Sequence, residues 1–121
     1  MFAVLETLIL ARMGAGEPSL LVDAIESMLR EPPVGGPVAV ARLEETLTDG
    51  YACALEIEAE RWRLERRIAE LARRLARGEA DGAAGELAGL SERLAAADDE
   101  LGRLRRLLES LRRHAAAARA A

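Results

Sequence analysis

The chain has 121 residues, of which 78 are Ala, Leu, Arg or Glu, and its formal net charge at pH 7 is -4. These residue types favour helices because they lose little side-chain freedom there, so the composition argues against a strand-rich fold. The aromatic residues are Phe2, Tyr51 and Trp62. Three aromatic side chains are few for a surface that binds nucleic acid by stacking on its bases. We expect one small all-α domain over residues 1–121.

Residues with catalytic or metal-binding chemistry are sparse. Cys53 is the single cysteine and cannot form an intrachain disulfide, and His114 alone cannot supply a structural zinc site. No hydrolase triad or phosphate-binding loop is recognisable, so we predict a protein that is not an enzyme and binds no metal or cofactor. Met1–Ala11 carries Glu6 and is too short to span a bilayer, which predicts a cytoplasmic protein without membrane insertion.

Two short helices are predicted before the long ones. The first covers residues 2–13, and the second begins near Pro18, which suits a first helical turn. Apolar side chains recur at helical spacing in the second and form the stripe Leu20, Leu21, Ala24, Ile25, Met28 and Leu29. Residues 31–37 contain three prolines and two glycines, which predicts a loop there. Residues 1–37 are therefore predicted to form two short helices followed by this loop.

Two apolar seams with alternating three- and four-residue spacing follow the loop. They predict long helices over residues 38–77 and 83–121, the second ending in a frayed alanine-rich tail. The first seam is Val40, Leu43, Leu47, Gly50, Ala54, Ile57, Arg61, Leu64, Ile68, Leu71 and Leu75; the second is Leu87, Leu90, Leu94, Ala97, Leu101, Leu104, Leu108 and Leu111. The register continues through Gly50, which favours an uninterrupted helix there.

The break between the seams predicts a tight turn over residues 78–82. Gly78 suits the left-handed position after a helix, and Asp81 is expected to cap the next one. A turn this short closes an antiparallel coiled-coil hairpin, with the two short N-terminal helices packed on its open end.

The hairpin sets a register in which the numbers of facing residues sum to about 161. Leu71 then faces Leu90, and Arg61, the charged residue in the seam, lies beside Glu100 with Asp98 and Asp99 nearby. The same register pairs further charges: Glu58 with Arg103, Glu56 with Arg105 and Asp49 with Arg112. We interpret Arg61 as part of a structural ion pair, with a ligand-binding arginine as the alternative.

A second stripe, Tyr51, Leu55, Ala59 and Trp62, lies beside the first seam. We expect the short N-terminal helices to cover it and so to form a head, with residues 63–99 as an arm. Trp62, next to Arg61, could instead mark a protein-binding hot spot, because Trp and Arg are enriched there.

The resulting functional prediction is a non-enzymatic protein–protein interaction module: a small adaptor, assembly factor or regulator with an unidentified protein partner. The broad apolar faces of the N-terminal helices favour a homodimer that forms a four-helix bundle. The alternative is a nucleic-acid-associated regulator that uses Arg105, Arg106, Arg112 and Arg113 of the last helix. These arginines can equally complement the acidic helix beside them, which is the preferred interpretation.

Overall fold

A computed structural model describes residues 17–79 and 81–121, and the helix predicted over residues 2–13 lies outside this part of the chain. Within these two ranges the protein forms three helices and no strand, which confirms the all-α class. They are α1 (Glu17–Arg30), α2 (Pro37–Ala76) and α3 (Ala83–Ala120).

Helix α1 buries a narrower stripe than the sequence predicts. Val22 and Ile25 are its buried side chains, whereas Leu20 and Ala24 are exposed. Leu20 precedes Ile25 by five positions, which separates the two side chains by about 140° around the helix. The predicted apolar stripe is therefore wider than the buried one, because a single packing surface cannot contact side chains that point in such different directions.

Helix α2 passes through Gly50 without interruption. Gly50 is buried, and a Cβ atom built on it would overlap Cδ2 of Leu108 and lie 3.3 Å from Cγ of the same side chain. Leu108 of α3 is itself buried, so the missing side chain of Gly50 is what allows the two helices to approach here.

The turn after α2 is closed by backbone hydrogen bonds. Gly78 has a φ of 79°, its N–H donates to the carbonyl of Leu75, and the N–H of Glu79 donates to the carbonyl of Arg74, both at 3.0 Å. This pair of bonds is the Schellman motif. Helix α3 begins at Ala83, so Gly82 occupies its capping position and the prediction that Asp81 does so is wrong.

The chain divides into two compact units, which among the described residues are 17–54 with 104–121, and 55–103. These limits differ from the predicted division, in which an arm covered residues 63–99. In the first unit Leu104, Leu108 and Leu111 of α3 are buried. The tail does not fray as predicted: Ala115 and Ala118 are 0% and 1% exposed because the small side chains allow close packing.

The second unit has an apolar cluster whose members, apart from Ala83, lie at predicted seam positions. Leu64, Leu71, Ala83 and Leu90 are buried together, and Ile68, Leu75, Leu87 and Leu94 pack against them. Leu71 and Leu90, predicted to face each other, lie in this one cluster.

Ion pairs flank the apolar cluster of the second unit. Arg67 binds Glu86 and Arg93 binds Glu60, each at 2.9 Å, so earlier residues of α2 meet later residues of α3. The numbers in each of these two pairs sum to 153, whereas those of Arg61 and its ion-pair partner Asp98 sum to 159, close to the predicted 161. These surface pairs were absent from the predicted set.

The close approach at Gly50 yields a test of the fold. We expect Gly50→Ala to lower the free energy of unfolding by roughly 1–2 kcal/mol, because overpacking against Leu108 outweighs the gain in helix propensity. Gly89→Ala is the matched control: Gly89 is helical, and no neighbouring atom lies within 4 Å of the point that an added Cβ would occupy. That change should stabilise the fold by roughly 0.5–1 kcal/mol. Urea denaturation measures both; equal stabilisation by the two changes would contradict the close approach.

Candidate functional site

The described residues were expected to hold no metal and no membrane-spanning helix, and the structure bears on both points. No group of three or more His, Cys, Asp or Glu side chains in residues 17–79 and 81–121 is arranged to hold a metal ion. No helix within those residues has the length and apolarity to cross a membrane. The candidate site described below lies on the exposed surface of α2.

Arg61 occupies its seam position and turns toward α3. Its Nε lies 2.5 Å from Oδ1 of Asp98, and its guanidinium is 3.5 Å from the carboxylate of Glu65. The Nε is buried and has no well-directed hydrogen bond, so the contact is an ion pair. Asp98, predicted nearby, is the partner in place of Glu100, and Arg61 contributes to packing rather than to an outer surface.

Trp62 lies on the outer face of α2, the side that carries Leu55, Ala59, Trp62 and Arg66. Its side chain is 57% exposed and that of Leu55 is 65% exposed. The guanidinium carbon of Arg66 stands 4.7 Å from the centroid of the indole ring, within the range of a cation–π contact. Leu55 and Trp62, which the sequence analysis expected to be covered, thus remain exposed.

A shallow groove of about 310 Å³ adjoins Trp62. Its lining is mostly basic: Trp62, Arg63, Arg66, Arg67, Glu70 and Arg73. Arg67 is held by Glu86, whose hydrogen bond and charge raise the pKa of Arg67 above its ordinary value. Arg66 and Arg73 form no ion pair with other described residues, so the groove keeps an uncompensated positive charge.

The arginines of the last helix are spread over α3. Arg105, Arg106, Arg112 and Arg113 are all exposed, and Arg113 lies 3.4 Å from Glu109 of the same helix. Arg119, which was not among the predicted residues, binds Glu44 of α2 at 3.0 Å. In this ion pair an arginine of the basic last helix neutralises a carboxylate of α2, as the preferred interpretation expects.

Cys53 and His114 both belong to the first unit. Cys53 is buried and forms no disulfide. His114 is half-buried and lines, with Arg42, Met28 and Leu43, a cavity of about 300 Å³ between the helices of this unit.

Replacing Arg61 tests whether an apolar side chain can take the place of its ion pair at the seam position. We expect Arg61→Met to leave the free energy of unfolding unchanged or to raise it by up to ~2 kcal/mol, because an apolar side chain suits a seam position. Arg93→Met, at an exposed ion pair, is the control and should change stability by less than ~0.5 kcal/mol. A loss of more than ~2 kcal/mol for Arg61→Met in thermal or urea unfolding would contradict this interpretation.

The exposure of Trp62 predicts that the fold does not depend on it. Trp62→Ala should cost less than ~1 kcal/mol, the scale of an exposed cation–π contact. Leu64→Ala, two positions along the same helix at a buried site, should cost roughly 2–5 kcal/mol. Circular dichroism melts compare the two variants, and similar losses would show that Trp62 is part of the core.

A scan of protein-family models and searches of curated proteins and solved structures found no match to this chain. Its function is therefore inferred from its own residues and their placement.

Proposed function

We propose that this protein is a non-enzymatic protein–protein interaction module, an adaptor, assembly factor or regulator, whose binding surface is the outer face of α2. The exposure of Trp62 carries the proposal. Arg66 stacks on the indole ring of Trp62, and tryptophan and arginine are the residue types enriched in interface hot spots. Scattered exposed leucines are ordinary, but Leu55 and Trp62 share one face at helical spacing.

The scaffold that presents this face is, we propose, an antiparallel coiled-coil hairpin with α1 packed on its open end. Support comes from the apolar cluster around Leu71 and Leu90 and from the ion pairs that join α2 to α3. A helix stiffened on one side by such a seam holds the opposite side in a fixed geometry. Pre-ordering of this kind lowers the entropy lost when a partner binds.

Self-association and a cytoplasmic location belong to the same proposal. The exposed apolar side chains of Leu20, Leu55 and Trp62 support a homodimer, since burial of such groups favours association. A buried cysteine outside any disulfide suits a reducing compartment.

The alternative, a nucleic-acid-associated regulator, has weaker support. Arg105, Arg106, Arg112 and Arg113 are exposed, but a cation site for phosphates is strongest when no carboxylates lie nearby. Glu109 lies against Arg113, and Arg119 of the same helix is occupied by Glu44.

Cross-linking in cells of the native host tests the proposed surface. Partner proteins captured by the wild type are identified by mass spectrometry and compared with those captured by Trp62→Ala. We expect recovery to fall roughly tenfold or more, as for a hot-spot residue. Val38→Ala is the matched control, because Val38 is an exposed apolar residue elsewhere on α2 and its loss should leave recovery unchanged.

Equal recovery of all captured proteins by wild type and Trp62→Ala would contradict the proposed surface. A DNA affinity that falls steeply with salt and is lost when Arg105, Arg106, Arg112 and Arg113 are replaced by Ala would support the nucleic-acid alternative instead.

A further inference from the structure

We infer that the outer face of α2 binds an acidic helix of a partner protein, which places an apolar side chain against Trp62 and carboxylates against Arg66 and Arg73. The inference rests on the proposed function and deepens it by naming the chemistry of the partner. It concerns residues 62–73 alone, which lie on one helix within the second unit.

Trp62, Arg66 and Arg73 form one row along α2, the tryptophan–arginine row. Arg73 follows Arg66 by seven positions, which places the two side chains within about 20° of each other around the helix and about 10 Å apart along its axis. Trp62 precedes Arg66 by four positions and lies about 40° away, on the side of Arg73. All three residues are exposed and line the same groove. The row therefore presents two cations and an aromatic ring in one direction.

The two arginines of the row lack a carboxylate partner within the described part of the chain. Arg66 stacks on Trp62, and neither Arg66 nor Arg73 forms an ion pair with another described residue. The neighbouring arginines of the groove do have such partners, each at 2.9 Å: Arg63 with Glu60, and Arg67 with Glu86. The positive charge that remains available to a partner is therefore concentrated on the row.

Glu70 lies between the two arginines of the row and determines how a partner can fit. Its carboxylate is 3.3 Å from the guanidinium of Arg67, so it does not neutralise Arg66 or Arg73. A partner helix that runs along the row can present carboxylates seven positions apart, at the spacing of the two arginines, with no charge opposite Glu70. The small side chain of Ala69, exposed on the same side of α2, leaves room for such a helix to approach.

Nucleic acid fits the row less well than an acidic helix does. Duplex DNA carries one charge per about 1.7 Å of its axis, so its phosphates would meet Glu70 as well as the arginines. The net charge of the whole chain, -4, also disfavours a polyanion. An acidic helix supplies separate carboxylates together with an apolar side chain for Trp62.

Binding of a synthetic peptide to the full-length protein tests the inference. The probe is an alanine-rich helical peptide of about 20 residues. It carries two glutamates seven positions apart and a leucine four positions outside each of them, so that either direction of docking is possible. A second peptide has lysine in place of both glutamates.

Fluorescence anisotropy of the labelled peptides measures the affinity. We expect a Kd on the order of 100 µM for the glutamate peptide, since the contact is smaller than a standard interface, and roughly tenfold or weaker binding of the lysine peptide. Raising the salt concentration from about 0.1 M to about 1 M should weaken the glutamate peptide roughly tenfold, because the screening length falls from about 10 Å to about 3 Å.

Removal of charge from the protein locates the binding site. The double variant Arg66→Gln with Arg73→Gln should bind the glutamate peptide roughly tenfold more weakly than the wild type does. The matched control, Arg106→Gln with Arg112→Gln, removes two exposed arginines of α3 and should leave the affinity unchanged. Circular dichroism of both variants confirms that a loss of binding is not a loss of fold.

Several results would overturn the acidic helix as the partner: equal binding of the two peptides, no binding of the glutamate peptide, or equal losses in the two double variants. A short DNA duplex that binds more tightly than the glutamate peptide and depends on Arg66 and Arg73 would overturn it as well. If captured proteins still depended on Trp62 in any of these events, the proposed surface would stand with a partner of different chemistry.

Discussion

The burial of apolar side chains at alternating three- and four-residue spacing along α2 and α3 is the constraint on which the rest depends. Leu64, Leu71, Leu90 and Leu104 lie at these positions and are buried. The burial removes apolar surface from water at many regularly spaced points, which stabilises long helices that would be marginal alone. It also explains the two exceptions: Gly50 leaves room for Leu108, and Arg61 needs an ion-pair partner.

The same constraint determines which side chains face outward. Trp62 precedes the buried Leu64 by two positions, about 200° around the helix, so it points away from the seam once Leu64 points into it. Leu55 and Arg66 share that outward direction at helical spacing. An exposed surface with an aromatic centre and arginine at its edge thus follows from the packing on the opposite side of the helix.

Much of the fold is readable from the sequence because seam periodicity and glycine placement are local signals. The extent of α2 through Gly50 and the left-handed Gly78 illustrate this. The ion-pair partner of Arg61 and the exposure of Trp62 are set by contacts between residues that are distant in sequence, so local patterns do not reveal them. The burial of Ala115 and Ala118 was not predicted for a similar reason. Alanine favours a helix, but its presence does not indicate whether another surface lies close enough to bury it.

Fluorescence of Trp62, the single tryptophan of the chain, tests the central claim most directly. An outward-facing indole should emit as a solvent-exposed tryptophan and be strongly quenched by acrylamide. A buried-type emission that is independent of concentration would contradict the account.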